Sequence, residues 1–360
     1  MKKLNTLFVR IKDIFFEKLT LGKSLDHFYY CFGGHFFFQS LSSAVRMDLF
    51  SLLHRKPGMT LKEIFSELKI AEQACRILLL SLTASGLLKK KGNRYFNSRA
   101  AKNFLVKGKK YDMRNMVLWQ HFINYRALFY FYDSIQANDN VGLQVFPGNE
   151  KTLYERLHHS PDLHKIFQDA MQEISAQANQ ELVDHIDLGR SRVLVDVGGG
   201  NGSNLVKFVK KHKNLKGVVF DYPSACELAK ENIAKHKLGH AITTQNGNCF
   251  VDAFPKEADA IIFCHFFTIW SPQEDQLLIK KAFDSLPPRG RLYIFNMAQH
   301  DSEDGPMSAA IGSPYFLSLA TGRGMLYTGR EYKDWMLQAG FSKVDMIRLP
   351  RDHVLLTATK

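Results

Sequence analysis

The sequence predicts an α/β protein, with a mostly parallel seven-stranded sheet behind a mainly α-helical N-terminal half of winged-helix type. Three observations carry this. From Arg192 onward, short apolar runs alternate with helix-length segments, the pattern of βαβ units. The first run enters a glycine-rich turn, Val195-Asp196-Val197-Gly198-Gly199-Gly200-Asn201-Gly202. Before residue 100, two short helical segments and a turn precede a basic hairpin, Lys89-Lys90-Lys91-Gly92-Asn93-Arg94-Tyr95-Phe96.

At 360 residues the chain can hold more than one domain, and 45% hydrophobic with 23% charged residues excludes wholesale disorder. We divide it into a helical winged-helix region (1–110), a helical connector (111–185) and a sheet domain (186–360). Cys31, Cys75, Cys226, Cys249 and Cys264 are scattered, with no disulfide framework and no C-x-x-C metal motif. That suits the reducing cytoplasm, and no metal is expected. The net charge of +13 is uneven: +14 over residues 1–110 and −1 over the rest.

In residues 1–20, Leu4, Leu7, Phe8, Ile11, Ile14, Phe15 and Leu19 recur at helical spacing, while Lys12 and Asp13 interrupt any signal-peptide core. An amphipathic helix packing on a partner helix is the favoured reading, with peripheral membrane contact as the alternative. Residues 25–55 read as apolar helix ending at Lys56-Pro57-Gly58. Thr60 three residues before Glu63 predicts a capped short helix, followed by a break near Lys69-Ile70 and a helix over 71–85. In the sheet domain, strands are expected at Val193–Val197, Gly217–Asp221, Ala241–Gln245, Asp259–Phe263, Arg291–Phe295, Val344–Leu349 and His353–Thr359, the last antiparallel.

Glycines at the carboxyl end of a strand admit positive φ and a close-lying ligand. The dinucleotide fingerprint G-x-G-x-x-G fails here, since its last glycine would be Ser203 or Leu205. What fits is G-x-G-x-G two residues after an acid, Asp196. A second acid, Asp221, ends the next strand, where a carboxylate can accept both ribose hydroxyls of an adenosine.

Taken in order, further motifs resemble the small-molecule O-methyltransferase family that includes caffeate, hydroxyindole and bacterial polyketide-tailoring enzymes. They are Asp48-Leu49-Phe50, Arg76-x-Leu78-Leu79 with Gly86-Leu87-Leu88, Phe167-x-x-Ala170-Met171, Phe220-Asp221-x-Pro223, Gly247-x-x-Phe250 and Ala339-Gly340-Phe341. The resemblance implies a Rossmann-like class I methyltransferase domain, S-adenosyl-L-methionine as cofactor, and a homodimer formed through the N-terminal domain. By the same resemblance Asp196, Gly198, Gly199 and Gly200 hold the methionine part, Asp221 the ribose, and Asn248, Cys249 and Phe250 the adenine. Cys264 stands where the family commonly has lysine, and Asn248 where it has aspartate.

The family's base is a histidine ahead of a Trp, assisted by two glutamates. Here the Trp is Trp270, the histidine's position is Thr268, and the glutamates' positions are Asn296 and Leu326. None of these three can accept a proton near pH 7. His265, three residues before Thr268 and expected on the same helix face, is the substitute base considered first, and His300 the second. Met171, Phe267, Trp270, Asn296 and Phe316 are expected at the acceptor, with Phe263, Phe266 and Tyr315 as further lining. Such a wall suits a flat, hydrophobic aromatic acceptor, methylated on oxygen or on a ring carbon. The stretch from Phe263 to Asp284 is similar to the bacteriochlorophyllide ring-carbon methyltransferase branch, which also lacks the histidine.

Two other readings stay open. The scaffold is compatible with cofactor binding turned to non-methylation chemistry or to none. A winged helix with +14 of charge also invites DNA, but the would-be reading helix, Ala71-Glu72-Gln73-Ala74-Cys75-Arg76-Ile77-Leu78-Leu79-Leu80, offers few base-reading side chains.

Overall fold

The computed structural model describes residues 22–360, in two compact units of which the first ends at His121 and the second begins at Phe122. The amphipathic helix expected over residues 1–20 lies outside the described residues.

In the first unit the expected single helix over 25–55 is three helices, Gly22–Phe32, Gly34–Arg46 and Leu49–Arg55. The breaks have local causes. A β carbon on Gly33 would stand 2.8 Å from the Tyr29 carbonyl oxygen, and Asp48 adopts φ 55°, a left-handed conformation that stops a helix. Apolar periodicity runs through both breaks and hides them. Strand β1 (Met59–Thr60) leads into helix Leu61–Leu68, capped reciprocally: the Thr60 N–H donates to Glu63 Oε2 at 2.7 Å and the Glu63 N–H to Thr60 Oγ1 at 3.4 Å. Helix Glu72–Ala84 follows, then β2 (Leu88–Lys91) and β3 (Arg94–Asn97), which pair antiparallel around Gly92-Asn93. The sheet order is β1-β3-β2, with Leu49, Phe50, Leu53, Ile64, Cys75, Leu79 and Leu82 in the core.

The second unit carries strands β4 (Val193–Val197), β5 (Lys216–Asp221), β6 (Ile242–Asn246), β7 (Ala260–Cys264), β8 (Arg291–Met297), β9 (Lys343–Leu349) and β10 (His353–Thr359). Their order is β6-β5-β4-β7-β8-β10-β9, parallel except for β10, which is antiparallel to both neighbours. Successive residues of each strand serve opposite faces. Val195, Phe263 and Ile294 pack with helices Pro272–Ser285 and Gly329–Ala339, while Leu194, Ile262 and Phe295 pack with helices Pro161–His185 and Ser203–Lys211. The order reverses at β4, flanked by β5 and β7. The crevice beyond its carboxyl end is where an open α/β sheet takes a ligand.

Candidate active site

The turn after β4 is shaped by its glycines. Gly198, at φ 70°, donates its N–H to the Phe220 carbonyl at 2.9 Å, and a β carbon on it would lie 2.4 Å from Cδ2 of Phe266. Gly200, at φ 56°, has open space where its β carbon would be, so a ligand can lie on the bare backbone. The Gly200 N–H donates to Asp221 Oδ2 at 2.8 Å and the Tyr222 N–H to Oδ1 at 2.7 Å, which fixes the carboxylate plane at the end of β5. Burial raises the Asp221 pKa, and these two N–H groups oppose the rise.

Asp196 is fully buried, and neither carboxylate oxygen has a hydrogen bond of good geometry. Burial first, then the Asp221 charge, push its pKa up to about 7, against the Asn204 side chain.

The loop after β6 forms the next wall. The Gly247 N–H donates to the Asp221 carbonyl at 2.9 Å, and Asn248 Oδ1 accepts the Phe250 N–H at 3.0 Å. Lys281 ties the loop down through the Cys249 and Asp252 carbonyls, each at 2.6 Å. Burial pushes the Cys249 thiol up to about 11. The Phe250 ring stands edge-on to Trp270 at 4.8 Å, and Trp270 is 6.0 Å from Phe266, so one aromatic wall runs from this loop to Gly198.

Thr268 is buried in a single 3₁₀ turn, Phe267–Ile269. Asn296 is fully buried on β8, its Nδ2–H donating to the Tyr332 hydroxyl at 3.1 Å while its Oδ1 has no partner. Leu326 is buried as well.

Residues 133–342 match the O-methyltransferase domain, and residues 29–107 match the O-methyltransferase dimerisation domain. The chain belongs to this family. It is 34% identical to the L-tyrosine C(3)-methyltransferase of Streptomyces lavendulae over 90% of this chain and 89% of that one. It is 29% identical to the 3-hydroxy-5-methyl-1-naphthoate 3-O-methyltransferase of Streptomyces sahachiroi, over 86% and 87%. Among solved structures, the S-adenosylmethionine-dependent methyltransferase SibL in its apo form superposes with a TM-score of 0.83 at 30% identity, covering 92% of this chain and 98% of that one.

This methyltransferase therefore uses S-adenosylmethionine, and its own residues fit that group. The open backbone at Gly200 and the pinned Asp221 carboxylate suit a ligand that carries hydroxyls, and the buried Asp196 carboxyl is near enough to Asp221 to feel its charge.

The structure corrects two expectations. His265 does not share a helix face with Thr268: the 3₁₀ turn begins at Phe267, and His265 precedes it at φ 53°. Its imidazole bonds Asn179 Oδ1 at 3.0 Å and stands edge-on to Phe295 and His353, each ring at 5.1 Å. Burial lowers its pKa to about 3, leaving a poor proton acceptor at neutral pH. Phe267 and Phe263 line no pocket: both are fully buried in the core with ring centroids 4.5 Å apart. Asn248 Oδ1, expected on adenine, accepts the Phe250 N–H and keeps a second lone pair.

Other expected residues fall into separate groups. Tyr315 and Phe316 meet edge-on at 5.1 Å, and the Tyr315 hydroxyl lies 3.4 Å from that of Tyr154, whose ring meets Phe167. Met171 stands one turn beyond Phe167 on helix Pro161–His185. His300 is on an exposed loop, 3.2 Å from Asp304. Cys264 ends β7, its thiol held neutral by burial and by Asp196.

Sequence reasoning missed two groups, Asn179 and Asp275. Asp275, on helix Pro272–Ser285, is fully buried with both oxygens unpartnered, and burial pushes its pKa up to about 10. No motif marks either residue. Among the described residues no helix is long and apolar enough to cross a membrane, and no cluster of His, Cys, Asp or Glu could hold a metal.

Proposed function

We propose that this cytoplasmic methyltransferase places its methyl group on a ring carbon beside the hydroxyl of a small phenol, with tyrosine or a tyrosine derivative as the first acceptor class to test. The observation that carries the reading is the loss of proton-accepting groups at all three family positions, Thr268, Asn296 and Leu326, each of them buried. An oxygen acceptor must lose its proton as it attacks, and a positioned base contributes about 10²–10⁴-fold to that step. A ring carbon activated by a neighbouring hydroxyl attacks with its own π electrons and loses its ring proton afterwards. The similarity to a relative named L-tyrosine C(3)-methyltransferase supports the same class.

Bound S-adenosylmethionine supplies an activated methyl group on a sulfonium. The chain's part is to hold Asp221 and the glycine turn in place, and to set the acceptor against the wall of Phe266 and Trp270 so that attack is in line. We assign cofactor contacts to Asp196, Gly198, Gly199, Gly200, Asp221, Cys249 and Phe250, and acceptor contacts to Met171, Trp270, Asn296 and Phe316.

The test is incubation with methyl-labelled cofactor and a panel of L-tyrosine, its derivatives and bicyclic phenols, with the label located by NMR. A labelled methyl group bonded to an aromatic carbon, with loss of the signal of the proton that this carbon carried, is expected. Label on oxygen would sink the ring-carbon reading. Cofactor binding without transfer across the panel would favour a repurposed scaffold.

A further inference from the structure

We propose that Asn179 is a positioning residue for the cofactor cradle, acting by linking His265 to the helix that follows the glycine turn. The proposal rests on the cofactor contacts assigned above. Asn179 lies on helix Pro161–His185 and is 7% exposed, so both ends of its carboxamide must be satisfied inside the protein. They are. Its Nδ2–H donates to Asn204 Oδ1 at 2.6 Å, and its Oδ1 lies 3.0 Å from His265 Nε2 and 3.9 Å from Cys264 Sγ.

These bonds form a chain with a fixed sense. With Asn179 Oδ1 accepting, His265 carries its proton on Nε2. The Asn179 amide nitrogen then faces the Asn204 oxygen. Asn204 is the second residue of helix Ser203–Lys211, directly after the glycine turn. His265 is the first residue after β7, held in the left-handed region and anchored by its N–H on the Phe295 carbonyl at 2.8 Å. One carboxamide on helix Pro161–His185 thus joins two segments that end at the cradle, the helix after the glycine turn and the end of β7. In this arrangement His265 contributes an N–H donor, and its imidazole takes no proton from the acceptor.

The experiment measures cofactor Kd by calorimetry and the split between KM for cofactor and kcat, on the full-length protein. Asn179→Leu is expected to weaken S-adenosylmethionine about tenfold, the effect of one lost buried hydrogen bond. At saturating cofactor kcat should fall much less. His265→Leu should reproduce the loss. His265→Gln, which sets an N–H where Nε2 stood, should restore it. The pair Asn179→Leu with His265→Leu should bind no worse than Asn179→Leu alone, because both break one chain. Should Asn179→Leu fail to fold, Asn179→Ser carries the same expectation with less bulk.

A folded Asn179 variant with wild-type Kd overturns the proposal. So does a His265→Gln protein that binds cofactor normally but turns over about a hundredfold slower, the signature of a lost base. Asp221→Ala separates the two levels. If it loses cofactor while Asn179 variants do not, the cradle stands and the linkage falls. If Asp221→Ala itself binds normally, the cradle assignment falls.

Discussion

Gly198 and the ring of Phe266 are in such close register that a β carbon on the glycine would stand 2.4 Å from Cδ2 of the phenylalanine. The glycine also sits at φ 70°, so Gly198→Ala carries two penalties, a backbone strain of about 1–2 kcal/mol and a ring that must move. We expect loss of measurable cofactor binding by calorimetry and a lowered melting temperature. Adding Phe266→Ala should recover part of the melting temperature by removing the clash, without restoring affinity. Full recovery by the double variant would show that φ at this position is unimportant.

Asp221 receives the Gly200 and Tyr222 N–H groups at 2.8 and 2.7 Å, which leaves its remaining lone pairs for a ligand's hydroxyls. Asp221→Ala should weaken cofactor binding by roughly ten- to a hundredfold, the effect of losing one or two hydrogen bonds to a charged acceptor. Asp221→Asn should fall between the two, since one oxygen remains. An unchanged Kd for Asp221→Ala would remove this residue from the site.

Asp196 gives the cofactor a pH dependence of definite sign. Its pKa in the free protein is pushed up to about 7, so the group is neutral below that pH and charged above it. A sulfonium cation favours the charged form. Binding below pH 7 therefore releases a proton, and affinity for S-adenosylmethionine should rise with pH and level off above about 7. The demethylated product lacks the sulfonium charge and should respond less. Asp196→Asn should flatten the profile; a steep rise retained in that variant would place the titrating group elsewhere.

How far the sequence could be read divides along one physical line. The strands, the hairpin, the Thr60 cap and the glycine turn were legible because each is written in adjacent residues: short apolar runs, a turn dipeptide, glycines in a row. The breaks at Gly33 and Asp48 were not, because apolar spacing continues across them. His265 was misplaced for a related reason, since one residue at φ 53° ends the strand and no helix begins until Phe267. Asn179 and Asp275 were invisible because their meaning lies in partners far along the chain, Asn204 and His265 for one, a closed apolar core for the other.

Asp275 makes stability depend on pH. Its pKa in the folded state is about 10 against 3.8 for an ordinary aspartate, so the folded protein holds this proton where the unfolded chain has released it. Its contribution to stability is complete below about pH 4 and is lost progressively as the pH rises toward 10. Asp275→Asn has no proton to lose. The variant should melt close to wild type at pH 5 and clearly above it at pH 9, because each pH unit between the two pKa values removes about 1.4 kcal/mol from the wild type and nothing from the variant. Equal melting temperatures across that range would mean that the carboxyl finds a partner.

The dimerisation region presents apolar side chains that its own unit does not cover. Phe36, on helix Gly34–Arg46, is 65% exposed, and Ile77 and Leu80, on helix Glu72–Ala84, are 63% and 71% exposed. Tyr30 ties the neighbouring helix to the same element through its hydroxyl on the Ala84 carbonyl at 3.2 Å. In a two-fold dimer each of these residues is buried twice, once from each copy. Truncating a buried Phe or Leu loses about 2–3 kcal/mol per copy, so Phe36→Ala or Leu80→Ala should cost about 4–6 kcal/mol of association, a thousandfold or more in the dimer dissociation constant. Sedimentation at micromolar protein should then show monomer, while Cys75 and Leu79, buried on the opposite side of the Leu80 helix, keep the unit folded. A dimer constant unmoved by both substitutions would assign the interface to another face.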